Sequence, residues 1–327
     1  MELSSILFFI GGLAVILVGA ELVLRGSAHI AAMLGVRPII IGLTVVSVGT
    51  SAPELAVGIT AVSQGVGELA VGNIAGTNML NILFILGLSA AIRPLPLNLY
   101  SIRLDVPVMI GSALILVLFS LDGVLSQLEG IILFLGAIVY TIMLIRTSRR
   151  ESAQMQKEFS EEYSTPKPGK KKNTGFFILN SVFVVGGITL TVLGANWLVD
   201  GAANIARALG VTEAVIGLTI VAIGTSAPEL VTTIMATIKN DRDVAIGNLI
   251  GSSIYNILVI LGLTCASFKK GVDVSDDVLM FDLPLAALAA AVCYPVFRSD
   301  HKVTRTEGIL FVSAYLIYLS ILIFVRA

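Results

Sequence analysis

The sequence predicts an all-α polytopic membrane protein with ten transmembrane helices. These are expected to form two inverted five-helix repeats, with broken helices at the centre. Three observations lead there. The 327 residues are 56% hydrophobic and only 13% charged, a membrane composition rather than that of a large soluble core. Apolar runs of about 20 residues, each long enough to cross ~30 Å of hydrocarbon, recur along the whole length. The segment Gly49-Thr50-Ser51-Ala52-Pro53-Glu54 returns unchanged as Gly224-Thr225-Ser226-Ala227-Pro228-Glu229.

Taken in order, the spans are expected at 5–24, 39–63, 70–91, 104–121, 127–146, 176–199, 214–238, 245–266, 278–297 and 306–325. The first run lacks a basic start and leads directly into a second, so it reads as a transmembrane helix rather than a cleaved signal. Residues 147–175, with Arg149, Arg150, Glu161, Glu162 and Lys170-Lys171-Lys172, are too polar to form a core and read as a solvated linker. The chain therefore divides into a first repeat at 1–146, a linker at 147–175 and a second repeat at 176–327. Cys265 and Cys293 fall in apolar runs and read as small buried hydrophobes. His29 and His301 stand far apart, which gives a zinc-type site little support.

Residues 41–92 align with 216–267 at a constant offset of 175 without a gap, half of the positions being identical. The match continues through Gly19-Ala20 with Gly194-Ala195, Asp105-Val106-Pro107 with Asp282-Leu283-Pro284, and Glu129-Gly130 with Glu307-Gly308. Five spans per half is an odd number, so the second half enters the membrane from the opposite side. In such inverted repeats the site tends to lie near the midplane, where broken helices meet. Counting basic residues orients the chain. One side holds Arg207, Lys269, Lys270 and Arg326; the other holds all the rest, including Arg25, Arg37, Lys239, Arg242 and the basic linker. Lysine and arginine concentrate in cytoplasmic loops, so both termini are expected outside and the linker in the cytoplasm.

The repeated segment carries the chemistry. A carboxylate at bilayer depth costs about 2.5 kcal/mol or more, and so faces a cavity, a partner or an ion. Proline breaks or kinks the helix, and carbonyls freed by the break are tolerated only where they are buried or line a polar cavity. Two identical copies read as two halves of one oxygen-lined ion site. Hard cations such as calcium take six to eight oxygens. Glu54 and Glu229 offer charge; Thr50, Ser51, Thr225 and Ser226 offer hydroxyls; the backbone at Ser47 and Ala222 offers carbonyls. In the third spans Thr77 with Asn81, and Ser252 with Asn256, are four apart and share a helix face.

Plainer readings exist for each. Pro53, Thr50 or Ser51 alone fits a packing kink. Asn81 and Asn256 also suit interhelical hydrogen bonding. Asn73 and Asn248 repeat but lie nearer the span starts. Glu68 and Asp243 read as solvated loop residues, and Asp105 and Asp282 as hydrated or helix-starting residues at the interface. Glu21, Trp197 and Asp200 read as span ends. The glutamates resist such an account, since no lysine or arginine occurs in the second or third spans.

The paired Gly-Thr-Ser-Ala-Pro-Glu segments, each followed by Gly-Asn-(x)2-Gly-Thr/Ser-(x)3-Asn, resemble the two alpha repeats of the cation/calcium antiporter superfamily. The prokaryotic sodium/calcium exchanger branch is the best match. The resemblance implies one calcium site flanked by sodium sites. Glu54, Glu229, Thr50 and Thr225 would bind calcium. Ser51, Ser226, Thr77, Ser252 and the backbone at Ser47 and Ala222 would serve sodium, with Asn81 and Asn256 lining the middle. Potassium-dependent relatives, and some archaeal ones, carry aspartate at the position of Asn256, so its amide argues against potassium coupling. Thr77 replaces a more usual serine. The resemblance also implies that the first and sixth spans slide as a bundle against the other eight. Their glycines (Gly11, Gly12, Gly19, Gly186, Gly187, Gly194) suit close helix contact.

The function expected is therefore secondary active antiport of Na+ for Ca2+ by alternating access, electrogenic and independent of potassium. Its partners are these two ions and the lipid bilayer, with no cofactor, nucleic acid or obligate protein partner. The location expected is a prokaryotic inner membrane. A proton-coupled calcium antiporter would use the same glutamates, but the symmetric Thr-Ser pairs favour sodium. A passive channel fits broken inverted repeats less well. An intramembrane enzyme lacks a nucleophile–base pair.

Overall fold

The computed structural model describes residues 3–34, 36, 38–97, 101–148, 174–209 and 222–326. In the first half these form α1 (Leu3–Leu34), α2 (Ile39–Thr50), α3 (Ala52–Ser63), α4 (Glu68–Ile92), β1 (Leu95–Pro96), α5 (Ile102–Phe119), β2 (Val124–Leu125) and α6 (Gln127–Thr147). In the second half they form α7 (Thr174–Ala208), α8 (Ala222–Thr225), α9 (Ala227–Ile238), α10 (Arg242–Ser267), β3 (Val272–Asp273), α11 (Val278–Asp300), β4 (Lys302–Val303) and α12 (Arg305–Arg326). Among the described residues, eight helices are long and apolar enough to cross a bilayer, and the bent α2–α3 pair adds a broken ninth. The span expected at 214–238 is described only from Ala222. Its earlier residues, and most of the expected linker, lie outside the described residues.

Polarity runs from an apolar outside to a polar inside. Leu128 and Met280 are 66% and 67% exposed, while Glu54, Asn81, Glu229 and Asn256 are fully buried. Apolar surface on this scale marks a lipid-facing exterior, so the protein is integral to a membrane. The most enclosed of the long helices, α4 and α10, run through the middle. Two short antiparallel pairs interleave the halves: β1 with β4, where Leu95 faces Val303, and β2 with β3, where Val124 faces Asp273.

Helices α1 and α7 reach 32 and 35 residues. At 1.5 Å per residue each is about 50 Å long, so both tilt or project beyond ~30 Å of hydrocarbon. They overrun the expected limits because Glu21, Trp197 and Asp200 lie inside them rather than at their ends. Arg25 Nε donates to Glu21 Oε1 at 2.6 Å one turn away, and Lys239 at the end of α9 pairs with the same carboxylate. A carboxylate held by two cations has no need to terminate a helix.

The two long helices cross at very close range. A Cβ added to Gly19 would lie 2.7 Å from the Gly187 carbonyl oxygen, and one on Gly187 would lie 2.7 Å from that of Gly19. Gly12 and Gly194 meet in the same reciprocal way, at 2.7 and 2.8 Å. Only hydrogen fits at these four positions. Gly11 and Gly186, expected to share the contact, have nothing within 4 Å of such a Cβ.

Asp105 and Asp282 stand near helix starts as expected, at the heads of Val106–Phe119 and Leu283–Asp300, but they are not hydrated. They are 3% and 5% exposed and accept hydrogen bonds from Tyr140 and Tyr318, at 3.0 and 3.1 Å. Each repeat thus ties its fourth span to its fifth by a tyrosine–aspartate bond, buried in the first repeat and part-buried in the second. Tyr140→Phe and Tyr318→Phe are each expected to cost about 1–2 kcal/mol. The check is the thermal midpoint in detergent; an unchanged midpoint in both would show that the bond adds no stability.

Candidate ion-binding site

The repeated segment folds as a helix stop followed at once by a helix start. Ser51 (φ −82°, ψ 9°) and Ser226 (φ −93°, ψ 10°) leave the helical conformation, and α2 and α3 meet there at a 40° bend. Pro53 and Pro228 then fall in a first turn, where a missing N–H removes no helical bond. The same turn carries Glu54 or Glu229, so each carboxylate sits at the positive end of a helix dipole. The break therefore does more to aim a carboxylate than to free carbonyls. The Ser47 carbonyl accepts from Ser51 N at 3.1 Å and from Thr50 Oγ1 at 3.3 Å. It meets an ion only by giving up one of them.

Nearly all the residues expected at the site are enclosed. Ser47, Thr50, Ser51, Glu54, Asn81, Ser226, Glu229, Ser252 and Asn256 are fully buried, and Thr77 is 4% exposed. Thr225 is only partly buried, unlike its repeat partner Thr50. Ala222 opens α8, and its side chain lies outside what is described. Contacts cross between halves. Ser51 Oγ donates to Glu229 Oε1 at 3.4 Å, and Ser226 stands beside Glu54. Thr50 Oγ1 donates to Asn248 Oδ1 at 3.4 Å, and Ser47 Oγ to the Asn248 carbonyl at 3.1 Å.

What remains is a set of buried oxygens with no hydrogen bond from the protein. They are both carboxylate oxygens of Glu54, Oε2 of Glu229, the hydroxyls of Ser226 and Ser252, and Oδ1 of Asn81 and of Asn256. Orphaned buried acceptors are costly, carboxylates most of all. Gathered without a lysine or arginine between residues 39 and 92, they match the all-oxygen coordination of a hard cation. Among the described residues no three His, Cys, Asp or Glu gather where they could hold a metal ion.

Asn248, expected only near its span start, and Asn78 and Thr233, which no motif marks, are hydrogen-bonded to or through the expected site residues. Asn248 is fully buried, receives Thr50, and donates from Nδ2 to Thr233 Oγ1 at 3.1 Å. Its repetition as Asn73 was a usable signal. The first half lacks the partner, since Gly58 stands at the place of Thr233 and Asn73 Nδ2 is unbonded. Asn78 had no such signal, because its counterpart is Ser253.

The chain as a whole is similar to known proteins. The family model described as sodium/calcium exchanger protein matches residues 4–146 and 179–324. The chain is 32% identical over 327 residues to the inner membrane protein YrbG of Escherichia coli (strain K12), covering 98% of this chain and 97% of that protein. It is 29% identical over 352 residues to the sodium/calcium exchanger MaX1 of Methanosarcina acetivorans, covering 98% and 99%. The solved structure of the sodium-calcium exchanger NCX_Mj, soaked with 10 mM Na+ and zero Ca2+, superposes with a TM-score of 0.82 at 28% identity, covering 98% of this chain and 99% of that one. With both halves matched over nearly their whole length, the chain belongs to the sodium/calcium exchanger protein family, in the prokaryotic branch of the cation/calcium antiporter superfamily.

Proposed function

We propose that this antiporter exchanges Na+ for Ca2+ by alternating access, electrogenically and without potassium. The observation that carries the reading is the cluster of orphaned oxygens, drawn from both halves and containing two carboxylates. Glu54 and Glu229, with Thr50 and Thr225, hold calcium. Ser51, Ser226, Thr77, Ser252 and the backbone at Ser47 and Ala222 hold sodium, and Asn81 and Asn256 line the middle. Two negative charges balance one calcium ion, or they balance sodium ions spread over the neighbouring hydroxyls. Both sets cannot be neutralised together, so loading one expels the other.

Inverted halves at 1–146 and 176–327, joined by a cytoplasmic linker at 147–175 with both termini outside, supply the two access routes. A difference between repeat-related contacts supports this arrangement. Helix α1 packs along α9, where Leu24 clusters with Ala236 and with Val244 at the start of α10, whereas among the described residues α7 makes no comparable packing along α3. Val244 is accordingly fully buried while its counterpart Leu69 is 58% exposed. The Glu21–Lys239 pair closes the packed side, and the basic-residue count makes that side cytoplasmic. Sliding of α1 and α7 on their glycine contact would exchange the packed contact for the open one.

The test is radioactive calcium uptake into proteoliposomes loaded with sodium and diluted into sodium-free buffer, beside a set carrying only a proton gradient. Uptake is expected to need internal sodium. Uptake driven by protons alone would contradict sodium coupling.

A further inference from the structure

Asn78 occupies an asymmetric place in a symmetric site. It lies in α4 and is 5% exposed, and its Nδ2 donates to the backbone carbonyl of Ser253 on α10 at 3.0 Å. A carbonyl only accepts, so this bond fixes which end of the Asn78 amide is which. Oδ1 must face the other way, and there it accepts from Asn256 Nδ2 at 3.1 Å. The second amide is thereby fixed in turn. The Asn256 nitrogen is held by Asn78, and its Oδ1, turned away from that bond, is buried without a hydrogen bond from the protein.

The other half has no such lock. Asn81 is the repeat partner of Asn256, and both its amide atoms are buried without a hydrogen bond. Ser253, at the place of Asn78, spends its hydroxyl on the Leu249 carbonyl of its own helix at 3.0 Å. One central amide is therefore held through its nitrogen by a neighbouring amide, while the other has no hydrogen bond to fix its two ends.

We propose that Asn78 is a positioning residue that holds the Asn256 amide oxygen toward the bound cation and makes position 256 selective for an amide. The inference rests on the ion-site reading above. Without Asn78 the Asn256 amide can present its N–H2 end, which repels a cation. An ionised aspartate at 256 has only acceptors, and would oppose the Asn78 oxygen at the distance where the amide now donates. Asn78 cannot turn to greet it without losing the Ser253 carbonyl. The clamp thus disfavours a third carboxylate at the centre.

The experiment is calcium/calcium exchange in proteoliposomes, which reads the site without asking which ion drives transport. Asn78→Ala is expected to raise the calcium KM about tenfold with kcat little changed. Asn256→Ala should do the same, and the double variant should be no worse than either single one, because both lose the same oxygen. Asn78→Leu, close in size but unable to accept from Asn256, should raise KM as Asn78→Ala does, which also covers a poorly folding alanine variant. An unchanged KM in Asn78→Ala or Asn78→Leu, or multiplying effects in the double variant, overturns the proposal. A parent that exchanges no calcium overturns the ion-site reading, and this inference with it. A parent that exchanges calcium beside an unaltered Asn78→Ala overturns this inference alone.

Discussion

Glu54→Gln and Glu229→Gln are each expected to abolish calcium exchange while leaving the protein folded. Glutamine keeps the shape and one acceptor oxygen, but it removes the charge and turns an N–H2 donor toward the ion. Removing one partner of a buried charge interaction costs about 3 kcal/mol or more, a loss of ~10²-fold or greater in calcium affinity. Stability should hold or rise, since both side chains are fully buried and a neutral amide is cheaper to bury than an unpaired carboxylate. Calcium uptake and the thermal midpoint of each variant check this together. Uptake near the parent rate in both variants would remove the glutamates from the site.

Bulk at the crossing of α1 and α7 is expected to stop transport without touching an ion ligand. Gly194→Val puts a branched side chain where a Cβ alone would lie 2.8 Å from the Gly12 carbonyl oxygen. Gly19→Val does so 2.7 Å from the Gly187 carbonyl oxygen. Backbone atoms cannot rotate away, so the helices must separate, at an overpacking cost of about 1–3 kcal/mol. The uptake rate should fall by about tenfold or more if sliding depends on this contact. Gly186→Val is the control, because nothing lies within 4 Å of a Cβ there. Equal effects at positions 186 and 194 would mean that the close contact is not part of the transport cycle.

The parts of the molecule legible in its sequence are those set by solvent and by repetition. Apolar length places most of the helices to within a few residues, because hydrocarbon thickness fixes the length needed. The paired glutamates stand out because nothing nearby in sequence neutralises them. The misread residues depend on partners distant in sequence. Glu21 reads as a helix end in the sequence, but Lys239, 218 positions away, holds it within α1. Asp105 and Asp282 looked hydrated because the tyrosines that cover them lie 35 and 36 residues further on. The Ser47 backbone was expected to offer a carbonyl, but the helix breaks only at Ser51, whose N–H still bonds the Ser47 oxygen. Asn78 was invisible for a different reason. The repeat directs attention to residues that recur, and Asn78 acts by breaking the symmetry.

The most direct test of the central claim, one shared site for two ions built from both halves, is equilibrium binding of radioactive calcium to the purified protein during a sodium titration. Sodium is expected to displace calcium fully and with a Hill coefficient above one, because several sodium ions must enter to balance the same two carboxylates. Binding should vanish in Glu54→Gln and in Glu229→Gln alike. Calcium that stays bound at saturating sodium, or that survives the loss of either glutamate, would contradict a single site shared between the two halves.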